Sequence, residues 1–435
     1  MKLLLFWLVG LASAGPYEDG VQALKDGRYE QAKSLLTQAA ALDGAGTDPL
    51  WELGWAYWTL EDYAGAARAW EQVEAREPDR PELKTWLENA RARAPLAGAK
   101  PEAAEVPVEP SAGRLKIAGA GDTMMGSDLR RGLAGLAPGH GEVIFEDVAP
   151  LFEAVDVAFL NLEGPLADGI PSSKCGPSST ACYAFRTPTR YAKALVGASI
   201  DVVSLANNHA LDLGTAGQQS TMDVLDRVGI AHAGRYGDTA SLDINGVKVG
   251  FVAAHSGSCC LSVNALDEVM GAVALLDRDH DIVVLSFHGG AEGSGARHVP
   301  GKTEIAWGER RGDVKKLARA AVDAGADLVL GHGPHVLRAM EVYRGRLIAY
   351  SLGNFTGYRQ FGSGGGFTGT SAILEVELAD NGVLVAAKVH PLALDKSSIP
   401  RPDPSGAALD QIRELSAADF PDSGVKVDAE GRLSW

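Results

Sequence analysis

What most limits the fold of this 435-residue chain is a recurring junction, in which a short apolar, strand-like run stops at a residue able to hold a metal. Asp122 closes the first run (IAGAGDTMM), Glu163 the second (AFLNLEGPL) and Asn207, Asn208 and His209 the third (VVSLANNHALD). His288 closes a later one (VVLSFHGG), and His332 with His335 follows the next (LVLGHGPH). In an α/β sheet the carboxyl ends of the strands share one edge, where ligands bind, so residues far apart in sequence converge there. Glycines beside nearly all of them let the backbone turn tightly and leave the side chains accessible. Taken singly each has an ordinary explanation: Asp122 caps the next segment, Asn208 holds a turn, and a lone histidine is a structural group. Repetition at one topological place points instead to a shared cation site, because burying so many ionisable groups together without a cation is costly.

The runs sit in an alternating pattern. After an opening run at 115–119, apolar strand-like segments recur at 157–162, 202–206, 249–254, 282–287, 328–330, 347–352, 372–378 and 383–389. Helical patterns intervene at 191–197, 218–228 and 313–324. This order predicts an α/β domain over residues 114–395 with a mixed sheet or two stacked sheets. Residues 396–435 are expected to form a weakly ordered tail.

Upstream, two segments match at an offset of 34 residues: Gly20 with Gly54, Tyr29 with Tyr63, Ala32 with Ala66, Leu36 with Trp70 and Ala39 with Val73. Small residues stand where helices must approach closely and large ones where one helix plugs the next, in a pattern that resembles the tetratricopeptide repeat. A plain amphipathic bundle is the alternative. With a trailing helix at 81–93, residues 15–94 form a module of a kind that holds a protein partner rather than doing chemistry. Residues 95–113, rich in Ala, Pro, Glu and Gly, cannot bury a core and read as a tether.

Composition narrows the partners. Lys and Arg number 40 against 56 Asp and Glu, a formal net charge of -16, so the long-range attraction that a nucleic acid demands of its binder is missing. Lys2, the apolar run 3–12 and Ala12-Ser13-Ala14 read as a secretory signal cleaved near Ala14, and no later stretch approaches transmembrane length. The mature protein is thus expected outside the cytoplasm, periplasmic or extracellular. Four cysteines suit that placement. Cys175 and Cys182 flank a short loop that a disulfide closes easily, whereas adjacent Cys259 and Cys260 leave the connectivity open among three possibilities. Paired C-x-x-C spacing, as in zinc knuckles, is missing, and so is the G-x-S-x-G elbow of serine hydrolases.

The order GD, NLExPL, SLANNHALDxG, a strand ending in His-Gly, GHxPHV and YSLGNF resembles the CapA-type poly-gamma-glutamate capsule-synthesis family, a branch of the calcineurin-like metallophosphoesterase superfamily, over residues 115–394. The resemblance implies an α/β four-layer sandwich of two mixed sheets flanked by helices, with a site for one or two divalent metal ions at the carboxyl edge. It assigns Asp122 to one metal, Glu163 to a bridge, Asn208, His288 and His332 to the second metal, and His335 to the first. His209, beside Asn208, becomes the acid or charge stabiliser at the scissile bond. Oxygen and imidazole ligands favour Mn, Fe or Zn, and such ions supply a hydrolytic nucleophile without a serine or cysteine. Met124 stands where the superfamily's first motif carries a histidine, and a thioether ligates hard cations poorly. Asn161-Leu162-Glu163 replaces Gly-Asp-x-x-Asp, and His332 and His335 are spaced His-x-x-His. Arg186, Glu292 and Arg297 are candidates to hold an anionic substrate, with Asn207 and Asn354 beside them. At Asn354, a structural turn at Gly353 is the equal alternative.

Two functions fit these residues. One is an exported metal-dependent hydrolase acting on a phosphoester or other linkage of a cell-envelope polymer, in capsule or poly-gamma-glutamate metabolism. The other is a non-catalytic accessory of polymer synthesis or export, with the repeats docking a partner protein.

Overall fold

The computed structural model describes residues 15–42, 46–60, 62–94, 109–129, 135–175, 182–360 and 365–435; the expected signal at 1–14 and most of the tether at 95–113 lie outside them. The chain divides into a unit of residues 1–99 and a unit of residues 100–435.

The first unit is helical: α1 (Pro16–Lys25), α2 (Tyr29–Ala40), α3 (Asp48–Thr59), α4 (Tyr63–Glu74) and α5 (Leu83–Arg93), each packed on the next. The matched positions explain the packing. Gly20 faces Leu36, where a Cβ would sit 2.7 Å from Leu36 Cγ, and its counterpart Gly54 faces Trp70, where a Cβ would sit 2.1 Å from Nε1. Leu36 and Trp70 are both fully buried. The Trp70 indole N–H donates to Trp51 O at 3.1 Å, which satisfies the polar end of a ring otherwise in the core. Asp62 starts α4 by accepting from Gly65 N at 2.7 Å.

The second unit runs β1 (Arg114–Met124), β2 (Val157–Leu162), α6 (Ala192–Gly197), β3 (Val202–Ser204), α7 (Gly214–Val228), β4 (Ala231–Ala233), β5 (Ala240–Ile244), β6 (Val247–His255), α8 (Leu266–Asp277) and β7 (Ile282–His288). It continues with α9 (Val314–Asp323), β8 (Leu328–His332), β9 (Met340–Tyr343), β10 (Arg346–Ala349), β11 (Asn354–Gly357), β12 (Thr370–Ala379), β13 (Leu384–Leu394), β14 (Pro400–Pro402) and α10 (Ala407–Asp419). One mixed sheet has the order β14-β13-β12-β1-β2-β3-β4, with β11 also paired to β1. The other has the order β9-β10-β8-β7-β6-β5, with Leu261–Ser262 added to β6.

Alternation along β1 shows how the layers form. Leu115 and Ile117 turn into a core shared with Phe251, Val284 and Leu330 of the second sheet. Ala118 and Ala120 turn the other way, onto Leu195 of α6, Leu225 of α7, and Phe145 and Phe152 of the short helices Glu142–Phe145 and Ala149–Glu153. Helices α8 and α9 pack on the second sheet, completing an α/β arrangement of two mixed sheets with helices outside both.

The expectation of a weakly ordered tail from 396 is corrected. Leu409, Ile412 and Leu415 are buried on one face of α10, and Ala408, Leu409 and Ile412 join the core between the sheets. The Pro-, Asp- and Ser-rich stretch before α10 masked a helical 3–4 residue spacing that resumes at Ala408. Residues after it return to β9, where Val342 N donates to Ser423 O at 2.8 Å.

In the first sheet, β1 runs parallel to β2, β3 and β11, and in the second β8 runs parallel to both β7 and β10. The register pairs Asp122 with both Asn161 and Asn354, and His288 with both His255 and His332. A Cβ on Gly121 would lie 2.0 Å from Gly353 O, so only glycine allows the approach that lets Asp122 N donate to that carbonyl at 2.9 Å.

Candidate metal centre

Asp122, Glu163 and His335 each offer one ligand atom, and these atoms lie within 4.8 Å of one another. His335 Nδ1 is 2.9 Å from Asp122 Oδ2 and its Nε2 is 3.7 Å from Glu163 Oε1. His288 Nδ1 is 3.6 Å from Asp122 Oδ1 and its Nε2 is 3.9 Å from Glu163 Oε1. His209 Nε2 approaches the same oxygen at 4.0 Å. His335 reaches the centre from a left-handed turn, φ 57°, a conformation found at ligand-binding sites more often than elsewhere.

Glu163 Oε1 is thus ringed by three imidazole nitrogens at distances too long for hydrogen bonds. Neither it nor His288 Nε2 has a hydrogen-bond partner among the described residues, although both are buried, and Asn208 Oδ1 is in the same condition. Buried polar atoms left like this are costly, and a divalent cation among them removes the cost. The donor set, carboxylate oxygen and imidazole nitrogen, fits Mn, Fe or Zn.

Electrostatics agree. Burial alone would raise Asp122, but the hydrogen bond from His335 and the charges of His335, His288 and His332 hold it far below the usual carboxylate range. Burial, reinforced by Asp122, Glu292 and Asp212, holds Glu163 well above that range. His335, which burial would lower, is pushed up to about 10 by Glu163 and Asp122. Burial drives His288 well below its ordinary value and lowers His209 despite Asp212. Beside the charged His335, burial keeps His288 and His209 neutral next to the two carboxylates, and a divalent cation would add positive charge where those two rings supply none.

The other expected residues divide. His332 is not brought into the cluster: its Nε2 lies 3.1 Å from Ala120 O and its Nδ1 3.5 Å from Ser286 Oγ. As the last residue of β8 it is held between the sheets, whereas His335, in the following turn, reaches Asp122 and Glu163. Asn354 accepts at Oδ1 from His335 Nδ1 at 3.1 Å and donates to His335 O and Thr368 O, so it orients the His335 ring. Asn207 donates to Asn161 Oδ1 at 3.2 Å and to Leu162 O at 2.9 Å, and accepts from His209 N at 3.1 Å. Arg186 is committed to Asp128 and Ile170 O, both at 2.6 Å. Glu292 accepts from Trp307 Nε1 at 2.7 Å and pairs with Arg311, and its charge acts on both Glu163 and His335. Arg297 lies over the Phe367 ring at 3.8 Å. Met124 is buried, its sulfur accepting from Gly126 N at 3.1 Å.

Several residues of the site escaped the sequence reading. Asn161 donates to Asp122 Oδ1 at 2.8 Å and lies 3.2 Å from His288 Nδ1. Asp212 Oδ2 lies 2.7 Å from His209 Nδ1 and accepts from Phe185 N at 2.7 Å. Its signal was available in HALD, where an acid three residues on shares a turn with the histidine. Lys174 reaches Asp212 and, at 2.9 Å, Asn208 O. His255 stands at the end of β6 with Nδ1 3.0 Å from His288 O. The disulfides are Cys175–Cys182, next to Lys174, and Cys259–Cys260, whose Cys259 sulfur is 3.8 Å from Asn207 O.

Residues 116–358 match the family profile described as "Bacterial capsule synthesis protein PGA_cap", and residues 23–99 match a tetratricopeptide repeat profile. The chain is 28% identical over 350 residues to the "Capsule biosynthesis protein CapA" of Bacillus anthracis, covering 76% of each chain. It is 30% identical over 281 residues to the "PGA biosynthesis protein CapA" of Bacillus subtilis, covering 60% of this chain and 67% of that one.

Proposed function

Because this chain belongs to the bacterial capsule synthesis protein family, we propose that it acts in capsule or poly-gamma-glutamate biosynthesis as a metal-dependent hydrolase of an envelope polymer. The observation that carries this reading is the buried Glu163 Oε1, without a hydrogen-bond partner among the described residues and faced by nitrogens of His209, His288 and His335. Asp122, Glu163, His288 and His335 would hold the ion, with Asn208 Oδ1 as a further ligand. A divalent ion at such a centre supplies Lewis-acid polarisation of a phosphoryl or carbonyl oxygen.

The chain's own residues do the rest. Asp212 fixes the His209 ring so that Nε2 faces the centre. With Nδ1–H directed at Asp212, Nε2 of the neutral ring is the nitrogen free to accept a proton from the attacking water, and only after that to return one to a leaving oxygen or nitrogen. Asn161 and Asn207 keep Asp122 and the His209 segment in register. The sequence signature at 1–14 supports export, and the helical unit supports docking of a protein partner. Among the described residues, no helix is long and apolar enough to cross a membrane.

Met124 favours a second reading, an accessory that binds polymer without cleaving it, since its sulfur is turned to Gly126 where relatives of the superfamily carry a ligand. The deciding experiment measures bound metal by mass spectrometry, then assays aryl phosphate and poly-gamma-glutamate hydrolysis in wild type, Asp122→Ala and His209→Ala. Turnover that both substitutions abolish supports the hydrolase. Stoichiometric metal with no substitution-sensitive turnover supports the accessory.

A further inference from the structure

The loop after His288 carries exposed aromatic surface that the metal centre does not use. Residues Ile305–Ala306 and Glu309–Arg310 form a two-stranded hairpin, closed by Trp307 and Gly308 with φ 52° and 81°. Both signs suit a type I′ turn, but a bulky residue in the left-handed region is strained there. Trp307 is 78% exposed and Ile305 56%, an unusual apolar display for so small a hairpin. The indole does not hang free: its N–H is held by Glu292 Oε2 at 2.7 Å, and the Glu292 charge acts on Glu163 and His335. From the same loop Arg297 stacks on the half-exposed Phe367 at 3.8 Å, and its guanidinium has no carboxylate partner among the described residues. Phe367 adjoins Thr368, whose carbonyl is hydrogen-bonded to Asn354, the residue that orients His335.

We infer that Trp307 and the Arg297–Phe367 pair form a rim that receives an acidic polyamide chain and leads it to the centre. The inference rests on the reading of the chain as a capsule-polymer protein. A flat indole offers a face to the methylene and amide segments of such a chain. A guanidinium held planar against a ring leaves its edge for a carboxylate, in a bidentate match. In a protein of net charge -16, an unpaired cation beside the site is where a polyanion finds local attraction.

The test titrates the full-length protein with a γ-linked glutamate oligomer, with short-chain polyphosphate and with the uncharged glutamine oligomer of equal length. Manganese binding serves as the check on folding. Trp307→Ala and Arg297→Gln are each expected to weaken the glutamate oligomer about tenfold, with the glutamine oligomer insensitive to Arg297→Gln. Trp307→Phe keeps a ring face and loses the bond to Glu292, so it is expected to retain most of the affinity. Unchanged affinity in Trp307→Ala and Arg297→Gln overturns the inference, as does tighter binding of polyphosphate than of the glutamate oligomer. A Trp307→Phe loss as deep as that of alanine also overturns it, by making the indole a latch on Glu292. Trp307-dependent binding in a protein without turnover upholds the rim and sinks the hydrolase, whereas turnover without oligomer binding does the reverse.

Discussion

His209 Nδ1 lies 2.7 Å from Asp212 Oδ2, and the opposite nitrogen of the same ring faces Glu163 Oε1 at 4.0 Å. The aspartate therefore fixes which way the imidazole points and which nitrogen carries a proton. Asp212→Asn is expected to lower turnover by about 10–100-fold while leaving bound metal at the wild-type level. Steady-state rates measured beside metal content check this; a parallel loss of metal would make Asp212 part of the ion's cradle instead.

A cation held by Asp122, Glu163 and His288, as proposed, would bind the folded chain and not the unfolded one, and so would stabilise it by mass action. Manganese at a hundredfold excess over its dissociation constant is expected to add about 2.7 kcal/mol, seen as a higher unfolding midpoint that a chelator reverses. Glu163→Ala and His288→Ala should each remove the manganese-dependent rise. A rise that persists in both would place the ion elsewhere.

The sequence marked candidates for the proposed centre wherever a ligand-type residue followed an apolar run directly, as Asp122, Glu163 and His288 do. It hid the residues that work at second hand. Asn161 is a neutral amide whose purpose depends on register across β1, and Asn354, a substrate candidate in the sequence, is turned by the same register onto His335. His332 and His335 follow the same apolar run, yet strand geometry holds one between the sheets while the left-handed turn swings the other into the cluster. Trp307 gave no periodic signal because one aromatic at a turn belongs to no face. The helix α10 was concealed because proline and aspartate before it look like a chain ending, and only the core it fills shows otherwise.

Glu341 ties that carboxyl-terminal segment to β9, accepting from Arg319 at 3.0 and 2.6 Å, from Ser423 Oγ at 2.6 Å and from Tyr350 OH at 2.6 Å. Burial would raise this carboxyl, but these donors outweigh it and hold it below its ordinary value of 4.5. A group depressed on folding contributes stability that is present above the unfolded value and lost as the pH falls through the folded one. Glu341→Gln should therefore cost about 2 kcal/mol near neutrality. The difference from wild type should shrink as the pH drops below 4.5, and acid titration of the unfolding midpoint measures it. A constant difference at every pH would mean that the carboxylate charge is not what holds the tail.

Gly54 and Trp70 in the helical unit set two effects against each other. Replacing glycine by alanine inside a helix ordinarily gains about 1 kcal/mol from backbone entropy. Here the added Cβ would meet Trp70 Nε1 at 2.1 Å, and Trp70 is fully buried with its N–H bound to Trp51 O, so the ring cannot yield. Overpacking of this kind costs about 1–3 kcal/mol, enough to reverse the sign, so Gly54→Ala is expected to destabilise the helical unit. At the equivalent Gly20 the Cβ would meet Leu36 Cγ at 2.7 Å and Cδ2 at 2.9 Å, a less severe overlap with a smaller aliphatic side chain, and Gly20→Ala should cost less. Combining Gly54→Ala with Trp70→Leu should recover part of the loss through positive coupling. Tryptophan fluorescence and far-ultraviolet dichroism during unfolding report these three variants and the Trp70→Leu single that closes the cycle; equal effects at Gly20 and Gly54 would show that the ring and the leucine yield alike.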